Sequence, residues 1–155
     1  MPTLVHIQET KARITIPIDD RIFLGEGLFE TLRVVDSKPQ YPGYHWQRLQ
    51  KAALFLGISF ELSFEVWLSK LNQCITLTAL KEGGIKAILT GGSAPRGLLE
   101  QGQDSHLVFD AFEYPLNNRP LNLISAPWQR DAKNPLYQLK SVNYLEAIIA
   151  RRHAQ

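Results

Sequence analysis

Asn134-Pro135-Leu136-Tyr137-Gln138-Leu139-Lys140-Ser141-Val142-Asn143-Tyr144-Leu145-Glu146 is the stretch on which the reading of this chain turns. It sets one lysine just ahead of a predicted helix. Val142, Leu145 and Ile149 recur on one helical face, and Ile148 widens it. Asn143, with Glu146 three residues on, has the form of a capping box. Lys140 is therefore expected at an element boundary, held by packed structure on its C-terminal side. A lysine fixed in that way can become a nucleophile once its amine is neutral, because only the neutral amine attacks a carbonyl. Taken alone, a solvated lysine before a helix is the commoner case.

Working outward, residues 3–8 alternate and predict a strand, and residues 12–17 around Ile14 and Ile16 predict a second. Leu28–Val35 reads as a long strand. Leu28, Leu32 and Val34 share one face, interrupted by Glu30, and Phe29, Thr31, Arg33 and Val35 share the other. A glutamate on the apolar face must find a partner if buried. Asp36-Ser37-Lys38-Pro39 is a turn. Pro42 opens a helix with Trp46, Leu49, Ala53 and Leu56 at helical spacing, and Gly57 closes it. Ser63 caps a second helix whose buried face is Phe64, Trp67, Leu68, Leu71 and Ile75. Gly83-Gly84 breaks the chain before a strand at 85–90, a polar loop spans 91–97, and further strands are expected at 107–112 and 121–126. This order predicts an α+β fold: an N-terminal sheet with two packed helices over 1–113, a linker at 114–120, and at 121–155 the truncated start of a second α/β domain. One strand and one helix cannot close a core, so the chain reads as the N-terminal portion of something longer.

Composition narrows the function. A net charge of +2 on 155 residues gives no reason to expect nucleic acid as partner. A single cysteine, Cys74, excludes an intrachain disulfide and reads as a small buried thiol. No signal-like stretch opens the chain and no apolar run is long enough to span a membrane, so a cytoplasmic setting is expected. No metal is called for.

Three further motifs complete the pattern. They are Asp20-Arg21 followed by Gly25-Glu26-Gly27-Leu28-Phe29-Glu30-Thr31-Leu32-Arg33, then His45-Trp46-Gln47-Arg48-Leu49, then Thr90-Gly91-Gly92-Ser93-Ala94-Pro95-Arg96-Gly97. With Lys140-Ser141-Val142-Asn143 they resemble, in order and separation, the class IV (fold-type IV) aminotransferase family, whose members depend on pyridoxal 5′-phosphate (PLP). Each motif alone has a plainer reading as a turn, an amphipathic helix arginine or a surface loop. Two departures stand out: Glu26 replaces the usual aspartate, and Gly91 replaces a usual arginine.

The resemblance implies site roles. Lys140 would form a Schiff base with PLP and act as the catalytic base. Arg48 would bind the cofactor phosphate, for which a guanidinium offers paired, permanently charged donors. Tyr144 would hydrogen-bond the cofactor's phenolic oxygen. Phe29 and Thr31 would line the substrate pocket, and Arg96 would meet a substrate carboxylate. The group pairing with the pyridine nitrogen would lie beyond residue 155. Arg96-Gly97 and Asn134-Pro135 look most like the 4-amino-4-deoxychorismate lyase branch, which makes 4-aminobenzoate and pyruvate on the route to folate. D-amino-acid and branched-chain aminotransferases are the alternatives within the family, and a homodimer with a small-molecule substrate is implied. A non-catalytic binding module is the alternative outside it.

Overall fold

The computed structural model describes residues 3–8, 13–114 and 120–154. Strand β2 (Gly27–Val35) organises them. Its strict alternation puts Leu28, Glu30, Leu32 and Val34 on one face, all of them buried. Asp36 and Ser37, both at positive φ, make the two-residue turn into the short β3 (Lys38–Pro39). Strand β4 (Gly83–Thr90) pairs antiparallel with β2, and β5 (His106–Glu113) antiparallel with β4. The first strand, β1 (Leu4–Ile7), pairs parallel with β5, giving a five-stranded mixed sheet in the order β1-β5-β4-β2-β3.

Helices α1 (Pro42–Leu56) and α2 (Phe64–Thr78) pack on one face of this sheet. Pro42 stands at the first turn of α1, and Gly57, at φ 72, donates back to Ala53 and Leu54. The Ser63 hydroxyl accepts the Val66 N–H at 3.3 Å and caps α2. The core is Leu49 and Ala53 from α1, Trp67, Leu71, Cys74 and Ile75 from α2, and the inward residues of β2, β4 and β5. Cys74 is the small buried thiol expected. Burial first, and Asp110 second, push its pKa up to about 11.

Four local expectations fail, each for a physical reason. Residues 13–17 form no strand: Ile14 and Ile16 are half-buried in alternation, but no neighbouring strand pairs with them. Residues 121–126 are likewise unpaired, and all six are exposed. In 13–17 the two-residue period reports which side is covered, not whether a ladder partner exists, and in 121–126 neither side is covered. Gly83 and Gly84 do not break the chain but begin β4. A Cβ on Gly84 would stand 2.6 Å from the Phe112 ring, so these glycines leave room for Phe112 of the paired β5. The fourth failure is the capping box. The last helix, α3 (Leu145–His153), starts at Leu145 with no side-chain cap. Asn143 donates instead to the Gly25 carbonyl at 2.8 Å, while the Glu146 carboxylate accepts from Trp128 and Arg130. The expected linker lies mostly at 115–119, outside the described residues.

Candidate functional site

The lysine segment docks on the free edge of β2. The Phe29 N–H donates to the Lys140 carbonyl at 2.9 Å, and the Val142 N–H donates to the Gly27 carbonyl at 3.0 Å. Leu28 and Ser141 form the bridge between these two bonds, antiparallel. Phe29 and Lys140 therefore lie opposite each other, with side chains on the sheet face away from α1 and α2. The Lys140 Nζ is 4.2 Å from the Phe29 ring centroid and 5.8 Å from that of Tyr144. The two rings meet edge to face at 4.9 Å. Among the described residues no carboxylate pairs with Lys140.

The Gly-Glu-Gly turn makes this docking possible. Gly25 adopts φ 85, and a Cβ there would strike the Asn143 amide oxygen at 2.2 Å; a Cβ on Gly27 would crowd Val142 and the Leu89 carbonyl. The turn is braced from behind. Buried Asp20 accepts from the Thr90 hydroxyl at 2.7 Å and the Ile22 N–H at 2.8 Å, Arg21 pairs with Glu26, and Arg21 also donates to the Gly97 carbonyl. The turn also explains the missing arginine: a Cβ on Gly91 would stand 2.7 Å from the Glu26 carbonyl oxygen.

Arg48 and His45 project from α1 toward β2, where Glu30 is 1 % exposed. Arg48 Nε donates to Glu30 Oε1 at 2.6 Å, Arg48 Nη2 meets Oε2 at 2.5 Å, and His45 Nδ1 lies 2.7 Å from Oε2. Burial pushes the Glu30 pKa up, but the hydrogen bonds from Arg48 and His45 and their charge outweigh it, holding the carboxyl below its ordinary range. The same hydrogen bond raises the Arg48 pKa, with burial opposing it.

Arg48 and Lys140 line two adjoining clefts. One, of about 430 Å³, runs past Tyr44, Gln47, Lys51 and Gln138. The other, of about 420 Å³, includes Ser141, Asn143 and Tyr144. Both are within the size range of small-molecule sites. Phe29 and Thr31 share the open sheet face beside them. Arg96 is elsewhere: it lines a separate cleft with Asp20, Arg21, Phe23 and Leu98 that shares no residue with the other two. Sequence reasoning passed over two residues. Glu30 reads in the sequence as an acid in need of a partner, and packing brings it the helical neighbours His45 and Arg48. Lys86 sits opposite Thr31 in the register, and its Nζ is 4.8 Å from the Phe29 ring. The alternation of β4 carried that signal.

The donor set suits PLP. A guanidinium, an amine and a phenol border one cleft, and these groups suit a phosphate, an aldehyde and a phenolic oxygen.

Comparison with known proteins agrees with this geometry. The chain is 27% identical over 150 residues to the aminodeoxychorismate lyase of Bacillus subtilis, covering 93% of this chain and 51% of that protein. It is 25% identical over 149 residues to the D-alanine aminotransferase of Bacillus licheniformis, covering 94% and 52%. The chain thus spans about half the length of these curated relatives. A Legionella pneumophila crystal structure, provisionally assigned as a 4-amino-4-deoxychorismate lyase, superposes with a TM-score of 0.90 at 56% identity, covering 96% of this chain and 56% of that one. Its fold is the fold-type IV architecture expected. The family model for amino-transferase class IV matches residues 27–155, a span holding β2, the Arg48 helix and Lys140 together, and the chain belongs to that family.

Proposed function

We propose that this chain carries the reactive lysine of a PLP-dependent lyase that converts 4-amino-4-deoxychorismate to 4-aminobenzoate and pyruvate. The observation that supports this reading is the pairing of Lys140 against Phe29, which holds Nζ beside two aromatic rings in a cleft that Arg48 borders. Within the family, the lyase reading draws on the Legionella and Bacillus subtilis relatives.

When bound, PLP supplies an aldehyde that bonds an amine and a ring that accepts an electron pair from the neighbouring carbon. The residues of this chain supply the rest. Lys140 is the residue that would hold the cofactor through its aldehyde, and its amine would be set free when the substrate's amino group takes that place. The freed amine then takes, at Nζ, the proton of the amine-bearing carbon. The electron pair left on that carbon forms the new ring double bond as the bond to the enolpyruvyl oxygen breaks, the departing enolate takes a proton at its methylene carbon to become pyruvate, and the ring is left aromatic. Arg48 would hold the phosphate through the N–H groups that Glu30 does not take. Tyr144 would donate to the phenolic oxygen. Phe29 screens one side of Nζ from water, and Thr31 lines the adjoining sheet face. We read residues 121–155 as the start of the cofactor-binding lobe, with a cytoplasmic homodimer as the working form.

A second reading, an aminotransferase for D-amino or branched-chain amino acids, is favoured by the near-equal identity to D-alanine aminotransferase. The first experiment serves both. The purified protein mixed with PLP is expected to show a near-visible band that borohydride bleaches, with the reduced pyridoxyl group mapped to the Lys140 peptide. No band, or a label elsewhere, overturns the reading.

A further inference from the structure

Glu30 and Arg48 form an asymmetric pair. The carboxylate is buried within the contact between β2 and α1, whereas the guanidinium side chain is 55% exposed at the rim of the cleft. An ion pair that served only the core would bury both partners, and a lone buried carboxylate is costly. Here the buried partner is instead fixed twice, from Arg48 and from His45 on the preceding turn of α1. The exposed partner inherits that fixity. An arginine at that exposure would otherwise sample many rotamers. Glu30 takes Nε–H and one Nη2–H in fork geometry. That leaves the Nη1 pair and the second Nη2 hydrogen not taken by Glu30.

We propose that Glu30, steadied by His45, is a positioning residue that aims the outer N–H edge of Arg48 at the phosphate of the bound cofactor. This rests on the reading of Arg48 as the phosphate ligand and adds to it how that ligand is set. It also makes a counterintuitive demand. By charge alone, a carboxylate next to the phosphate-binding group weakens anion binding, so its removal would strengthen it. If aim matters more than charge, removing the carboxylate weakens binding instead.

The experiment compares PLP with pyridoxal, which has the aldehyde and ring but no phosphate, on the full chain by titrating the near-visible band. In the wild type, PLP is expected to bind more tightly than pyridoxal, and inorganic phosphate is expected to compete with PLP only. Glu30→Gln places an amide NH₂ against the Arg48 and His45 donors. It is expected to weaken PLP about tenfold or more, the size of a lost charge-assisted hydrogen bond, with pyridoxal unchanged. His45→Ala removes one of the two supports and is expected to give a smaller loss of the same kind, and it decides the matter if Glu30→Gln does not fold. Unchanged or tighter PLP binding in these variants, or an equal loss for both ligands, overturns the proposal while leaving Arg48 as phosphate ligand. A wild type that shows no preference for PLP over pyridoxal overturns the reading of Arg48 itself, and the proposal with it.

Discussion

Lys140 faces Phe29 across an antiparallel pairing, with its carbonyl bound to the Phe29 N–H and its amine over the Phe29 ring. The two residues lie in motifs more than a hundred positions apart, yet one ladder bond sets both. The backbone thus fixes the lysine, and its side chain is free for chemistry. Lys140→Ala is accordingly expected to abolish the borohydride-trapped adduct while leaving stability within about 0.5 kcal/mol of the wild type. Mass spectrometry of the reduced protein and a thermal melt check the two halves.

Arg48→Ala is expected to lose both phosphate affinity and stability. It leaves buried Glu30 with only His45, and an orphaned buried acceptor costs about 1–3 kcal/mol. Arg48→Lys recovers part of the affinity, since an ammonium cannot reproduce the fork. The double variant Arg48→Ala, Glu30→Gln should regain stability without regaining PLP affinity. Denaturant titration and PLP titration on the same samples separate these effects. An Arg48→Ala protein with unchanged PLP affinity returns Arg48 to the status of a surface arginine.

The Glu30 carboxyl has a folded-state pKa lowered from 4.5. A lowered carboxyl pKa contributes stability that is fully present above its unfolded value and is lost as pH falls through the folded one. Unfolding free energy measured from neutral pH down to pH ~3 should therefore fall more steeply in the wild type than in Glu30→Gln, with the difference confined to below about 4.5. Parallel curves would show that the pair gives no net protection to the ionised form.

Leu145, Ile148 and Ile149 of α3 are exposed, as are Leu121, Leu123 and Ile124. Apolar faces of this kind seek cover. The protein is expected to self-associate, preferentially as a dimer, by light scattering. Leu145→Glu with Ile149→Glu should shift it toward monomer. A wild-type protein that is monomeric and unfolds cooperatively counts against the homodimer.

Supplied with 4-amino-4-deoxychorismate, the PLP-loaded protein is expected to release 4-aminobenzoate, followed by fluorescence, with higher kcat/KM than it transaminates D-alanine or a branched-chain amino acid. Pyruvate alone is not diagnostic, because D-alanine transamination also yields it. Faster transamination would keep the family and replace the substrate.

Much of this was legible in the sequence because it was written locally. The β2 alternation, the Pro42 and Ser63 helix starts and the Gly57 stop each depend on neighbours within a turn or two. What the sequence hid was pairing. Ile14 and Leu121 alternate like strand residues, but whether an edge is free to receive them is decided far away. Asn143 had the right spacing for a cap, and a distant Gly25 carbonyl claimed its amide. Glu30 announced itself as a buried acid, but its partners came from the packing of α1 across β2.

The ties from Asn143 to Gly25 and from Val142 to Gly27 close a loop of more than a hundred residues. Such a contact forms late, since its closure entropy is offset only after β2 and the helices above it exist to receive it. The edge of β2 therefore acts as a template that is complete before its guest strand leaves the ribosome. A newly made chain cannot seat the lysine against Phe29 until the segment around Lys140 has emerged. A chain interrupted before that point would hold the sheet without the segment that docks on its edge.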